Sequence, residues 1–175
     1  PQSAAKLPDV SALRRKIQKQ VGSLADHPEI VWWAVTPEEL RPWETAEMDY
    51  LATICDSIRS ADKRLRPIYL YNPNHRDATT LAPIVRQVDL VAKGAYVNYT
   101  GRKRDRAWVR WSIEQEREAI RRAGRTNAIP LLIPELCQDP EMSEDGEIRA
   151  WVRHDVYLGL AGGAPGAPGR NRVLR

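Results

Sequence analysis

The run Asp26-His27-Pro28-Glu29-Ile30-Val31-Trp32-Trp33-Ala34-Val35-Thr36-Pro37-Glu38-Glu39-Leu40 decides how the chain is read. Ile30 to Val35 is an unbroken series of apolar, β-branched and aromatic residues, the pattern of a strand buried on both faces. Pro28 stops the preceding helix from continuing into it, because proline has no amide proton and disfavours the α conformation in the residue before it. Glu38 and Glu39 follow at the carboxyl end of the strand. In parallel-sheet proteins ligands and chemistry gather at that end, so both are candidate reactive carboxylates.

The flanking sequence repeats the same grammar. Upstream, Val10, Leu13, Ile17, Val21 and Leu24 recur at intervals of three and four, which predicts an amphipathic helix over 7–24 with Ser11 as its cap. Downstream, a helix is expected over 45–61, its buried stripe marked by Met48, Leu51, Ile54, Cys55 and Ile58. A strand over 67–71, a short helix over 79–87 and a strand over 90–99 follow, with a kink or close approach at Gly94. The helix over 107–123 stops at Gly124, and its Trp108 and Trp111 read as packing against the sheet. A strand over 128–134 and a helix over 148–160, ending at Gly162-Gly163, complete the series. Strands separated by helices require parallel pairing through right-handed crossovers. With no glycine-rich phosphate loop after any strand, half of an eight-stranded barrel fits better than a doubly wound domain. The fold class expected is therefore α/β, a partial (β/α)8 TIM barrel.

The strand ends supply the remaining candidates. Asn72, Asn74, His75 and Arg76 form a polar cluster suited to hydroxyl or carboxylate groups. The same cluster also reads as a turn followed by an N-cap at Asp77. Asn98 and Tyr99 end the third strand, and Glu135 follows the fourth.

Composition narrows the partners. The 175 residues carry six Trp and six Tyr but no Phe, with a net charge of +4. Lys and Arg alternate with Asp and Glu, and the densest basic run, Arg102-Lys103-Arg104-Asp105-Arg106, reads as a solvated loop, so nucleic acid is not expected as a partner. Cys55 falls on an apolar helix face. Cys137 follows Pro134-Glu135-Leu136 and is read first as a packing residue and second as a site residue. Neither has metal-ligand or redox spacing, and no cofactor or metal is expected. No stretch is long and apolar enough to span a membrane, and Pro1-Gln2-Ser3 does not open a signal peptide. The compartment is left unassigned.

His27-Pro28, the strand Trp33 and Glu38 together resemble the fourth strand of the retaining glycoside hydrolases built on a (β/α)8 barrel. The resemblance departs at Pro37, where that clan has an Asn that binds a sugar hydroxyl. It implies that the four strands are the fourth to seventh of a barrel. It further implies Glu38 as acid/base, Glu135 as nucleophile, Tyr99 as an orienting group and a carbohydrate substrate. Trp33, Glu39, Asn72, Asn74, His75, Arg76, Asn98 and Tyr99 are the expected substrate-binding set. Glu39 rivals Glu38 as acid/base, its other role being a first-turn residue favoured by the helix dipole. A chain that binds sugars without hydrolysis, or an inert half-barrel fragment, is the second reading, and Pro37 is consistent with it. A phosphate-binding α/β domain, the third, lacks a loop to cradle phosphate.

After Ala161-Gly162-Gly163-Ala164 the resemblance implies an apolar closing strand, whereas residues 165–175 are rich in Gly, Pro and Arg. That tail is expected to be unstructured beside a half-barrel domain over 1–164. The chain is accordingly expected to be a truncated piece that lacks the first three strands and the last. Such a piece would expose two raw sheet edges prone to self-association.

Overall fold

The computed structural model describes residues 9–36, 39–95, 107–134 and 145–162. Helices and strands alternate: α1 (Val10–Leu24), β1 (Trp33–Ala34), α2 (Thr45–Ala61), β2 (Ile68–Asn72), α3 (Ala78–Val85), β3 (Leu90–Ala95), α4 (Ala107–Arg122), β4 (Ile129–Pro134) and α5 (Asp145–Ala161). The four strands form one parallel sheet in the order β1-β2-β3-β4. A doubly wound sheet reverses its strand order and is covered on both faces. Here the order never reverses, and the helices pack in series from α1 on α2 to α4 on α5. All of them therefore lie on one face, as in an arc of barrel wall. The fold is α/β, four parallel strands with flanking helices.

The alternation of side chains across the sheet follows from this. Ile68, Leu70 and Val91 face the helices and join Leu51, Ile54, Cys55, Leu81, Ile84 and Val85 in the core. Cys55 is fully buried, as its place on the helix stripe requires. Trp32, Ala34, Tyr69, Tyr71, Leu131 and Ile133 alternate with them onto the other face, where Trp32 stacks on Tyr69 at 6.1 Å between ring centres. On that face Trp32 and Ala34 are exposed, while Tyr69, Tyr71, Leu131 and Ile133 are half-buried.

Several boundaries differ from those read in the sequence. β1 is shorter than the apolar run over 30–35 because it is an edge strand: β2 begins opposite Trp33, so Val31 and Trp32 have no strand to pair with. The ladder extends only to Val35, whose amide donates to the Tyr69 carbonyl. The cap of α1 is Asp9 and not Ser11; the Asp9 carboxylate accepts the Ser11 amide at 2.9 Å. Val10 and Leu24 are exposed, leaving Leu13, Ile17 and Val21 as the packed stripe. Gly94 causes no kink, since it pairs in unbroken register with Ile133. Gly124 does stop α4. It takes a left-handed φ of +66°, Arg125 donates its amide to Ile120 and Gly124 its own to Arg121, the Schellman closure.

Candidate functional site

The carboxyl ends of β1 and β2 meet through one side chain. The Arg76 guanidinium donates from Nη2 to the Leu40 carbonyl and faces the carboxylates of Glu39 and Glu47. Arg76 is almost wholly buried. Burial pulls its pKa down, while Glu39 and Glu47 oppose that pull. Glu47, in the first turn of α2, holds the same loop from its other side: it accepts the Arg41 amide and the Arg41 Nε, the latter at 2.6 Å. Burial raises the pKa of Glu47, but the bonds and charge of Arg41 outweigh it and leave the carboxyl below its usual range. The loop between β1 and α2 is thus fixed at Leu40 and Arg41, with Glu39 exposed beside Arg76.

The polar cluster after β2 divides. Asp77 is a helix cap, accepting the amide and hydroxyl of Thr80, each at 2.9 Å. These bonds hold its carboxyl below the usual range. Asn74 is half-buried and His75 exposed. Asn72 is fully buried on the helix side, its Nδ2 donating to the Leu70 and Ala92 carbonyls; its Oδ1 has no hydrogen bond among the described residues. Trp33 stands apart from the others. Its indole N–H donates at 2.8 Å to Asp62, in the turn between α2 and β2 at the amino end of the sheet, and its ring lies against Arg66. Glu38, Asn98, Tyr99 and Glu135 lie outside the described residues, as does the tail over 165–175.

Two functional groups escaped the sequence reading. Lys93 is fully buried on β3, its Nζ donating to the Arg76 carbonyl at 2.6 Å and lying 4.1 Å above the centre of the Trp111 ring. Burial pushes its amine down to about 7, with Glu116 and Asp77 opposing. Glu116 is equally buried on α4, and neither carboxyl oxygen has a hydrogen-bond partner among the described residues. Burial raises its pKa well above the usual carboxyl range, against the pull of Lys93. A signal existed for both. Lys93 is the single charge in the strand Leu-Val-Ala-Lys-Gly-Ala, and Glu116 follows Val109, Ser112 and Ile113 at helical spacing on the buried face.

At the strand ends the arrangement offers an exposed carboxylate beside a guanidinium, with amide and imidazole groups on the next loop. Such groups bind and orient hydroxyls or anions. No group of three or more His, Cys, Asp or Glu suited to a metal occurs among the described residues, and no described helix is long and apolar enough to cross a membrane.

No protein-family model matches the chain, and no curated protein matches it. Among solved structures it is similar to a β-glucuronidase of an uncultured Clostridium species, with a TM-score of 0.61 and 17% identity. The match covers 85% of this chain and 26% of that one, so this chain spans about a quarter of the length of the enzyme it resembles. At that identity the likeness is one of fold: the four-strand arc superposes on part of a glycosidase.

Proposed function

We propose that this chain is a glycoside hydrolase-like half-barrel, acting on O-glycosidic bonds by a retaining two-carboxylate mechanism. The observation that carries the reading is the Arg76 clamp, which draws the exits of β1 and β2 together at the carboxyl ends of the sheet, beside Glu39 and next in sequence to Glu38. The fold shared with a β-glucuronidase supports it.

In this reading Glu38 is the acid/base, with Glu39 as the competing choice, and Glu135 is the nucleophile. The acid protonates the departing glycosidic oxygen while the Glu135 carboxylate, about 5–5.5 Å from the acid's carboxyl, attacks the anomeric carbon. The resulting glycosyl ester is then hydrolysed by a water that the first carboxylate deprotonates. The two carboxyls need different environments, so that one keeps its proton while the other is ionised. Asn74, His75, Arg76, Asn98 and Tyr99 bind the sugar hydroxyls.

A 2-deoxy-2-fluoroglycoside with a dinitrophenolate leaving group tests this, since it traps the glycosyl-enzyme ester. Mass spectrometry should find the adduct on the peptide containing Glu135, and Glu135→Gln should abolish it. Sugar-dependent quenching of Trp fluorescence with no adduct and no turnover would replace this reading with a sugar-binding one, which Pro37 in place of the expected Asn favours.

A further inference from the structure

Behind the sheet, on its helix side, Lys93 and Glu116 have no part in the chemistry just proposed. A lysine sealed from water is costly, and an apolar residue would satisfy the packing of β3 against α4. The contacts of Lys93 indicate what it does. Its amine grips the main-chain carbonyl of Arg76 from behind, while the guanidinium of the same Arg76 reaches forward to the Leu40 carbonyl. The turn between them is short, closed by the Arg76 amide on the Pro73 carbonyl at 3.2 Å. Displacement of the Arg76 backbone therefore displaces the clamp on the β1 exit.

We propose that Lys93 is a positioning residue, whose buried amine anchors the Arg76 turn and through it sets the place of the loop that carries Glu39 and follows Glu38. For its effect on catalysis this rests on the glycosidase reading; the anchoring itself does not. Among the described residues, the groups that face Lys93 are Glu116 and the Trp111 ring from α4, and Asp77 with the Arg76 carbonyl from the turn after β2. The ammonium form makes the stronger bond to a carbonyl and the stronger contact with the ring. Desolvation outweighs both and brings the amine down to about 7, so the closed turn holds that proton less tightly than an open, rehydrated one and opens less readily as pH rises through neutrality.

Hydrogen exchange read by mass spectrometry on the whole chain tests the anchor without requiring turnover. Lys93→Met should speed exchange in both 73–77 and 39–47 at least roughly tenfold, the equilibrium weight of one hydrogen bond to a charged group. Arg76→Met should speed it in 39–47 alone, because Lys93 still holds the main chain. Corrected for intrinsic rates, wild-type protection of both stretches should rise between pH 6 and pH 8.5, a step that Lys93→Met lacks. A folded Lys93→Met with wild-type exchange in both stretches overturns the proposal. Should Lys93→Met not fold, the other two measurements decide: unchanged exchange over 39–47 in Arg76→Met, or no pH step in the wild type, overturns it equally. Where the fluoro-sugar labels Glu135, Lys93→Met should slow labelling with little change in the saturating concentration. A chain that is never labelled refutes the glycosidase reading and leaves the exchange result standing.

Discussion

Replacing Asp62 by Asn, a change of nearly equal volume, should destabilise the fold by about 3–5 kcal/mol, the range for breaking a buried ion pair. The Asp62 carboxylate is sealed in the turn between α2 and β2, and each oxygen accepts two bonds. Oδ1 takes the Arg64 amide at 3.0 Å and Arg66 Nη1 at 2.9 Å; Oδ2 takes the Trp33 indole at 2.8 Å and the Arg66 amide at 3.1 Å. An Asn has one acceptor atom. Whichever way it turns, one pair of donors meets its NH2 group, and each orphaned donor costs about 1–3 kcal/mol. Arg66, itself almost fully buried, also loses its counter-charge while Nη2 stays bound to the Ala25 and His27 carbonyls. The assay is urea unfolding followed by circular dichroism at pH 7. With a slope of about 1–3 kcal/mol per molar urea, the midpoint should fall by roughly 2 M. The pH dependence has a definite sign. Burial raises the Asp62 pKa, but the bonds from Trp33, Arg64 and Arg66 and the Arg66 charge outweigh it, so the folded value lies below 3.8. Its contribution is therefore present above 3.8 and lost as pH falls through the folded value, and the gap between wild type and Asp62→Asn should close in acid. A loss below about 1 kcal/mol at pH 7 would refute this account, since surface pairs lie in that range.

Other perturbations separate packing from backbone strain. Gly162→Ala should cost about 1–3 kcal/mol in the same unfolding assay, because its Cβ would meet the Ile113 Cγ2 at 2.8 Å, on a fully buried β-branched side chain. Gly159→Ala should cost less or stabilise; its Cβ meets the flexible end of Leu132 at 2.7 Å, and alanine is the better helix former by about 1 kcal/mol. Leu65 is exposed and holds a φ of +53°, so Leu65→Gly should raise stability by about 1 kcal/mol or less; a clear loss would refute backbone strain in that turn. Cys55 is fully buried and its thiol is pushed up to about 12. Its peptide should stay unmodified by iodoacetamide at pH 8 in the native protein and react in urea, as read by mass spectrometry.

The parts of the fold that were legible depend on local pattern. The helix over 45–61 appears with the limits its apolar stripe predicts, because that stripe meets a complete sheet face. Asp77 caps α3 and Gly124 ends α4, since an Asx side chain and a residue without Cβ satisfy helix ends using neighbours only a few positions away. The length of β1 was not legible. It depends on where β2 begins, at Ile68 opposite Trp33, a fact about residues 35 positions further along the chain. Trp33 illustrates the same limit within the candidate site: its acceptor, Asp62, lies 29 residues away.

Alternation of helix and strand, with no phosphate loop, was enough to determine a parallel α/β sheet, because hydrophobic period is a local property and crossover handedness is nearly invariant. The sequence also placed Glu39 and the amides of Asn72 and Asn74 at the strand ends, since those ends are marked by where the apolar runs stop. Only the tertiary structure decided how the loops meet: Arg76 bridges to Leu40 across 36 residues, and Lys93 reaches Arg76 across 17. It also decided that Lys93 and Glu116 are buried together. Their pairing depends on β3 packing against α4, and burial, not sequence, moves their proton affinities in opposite directions.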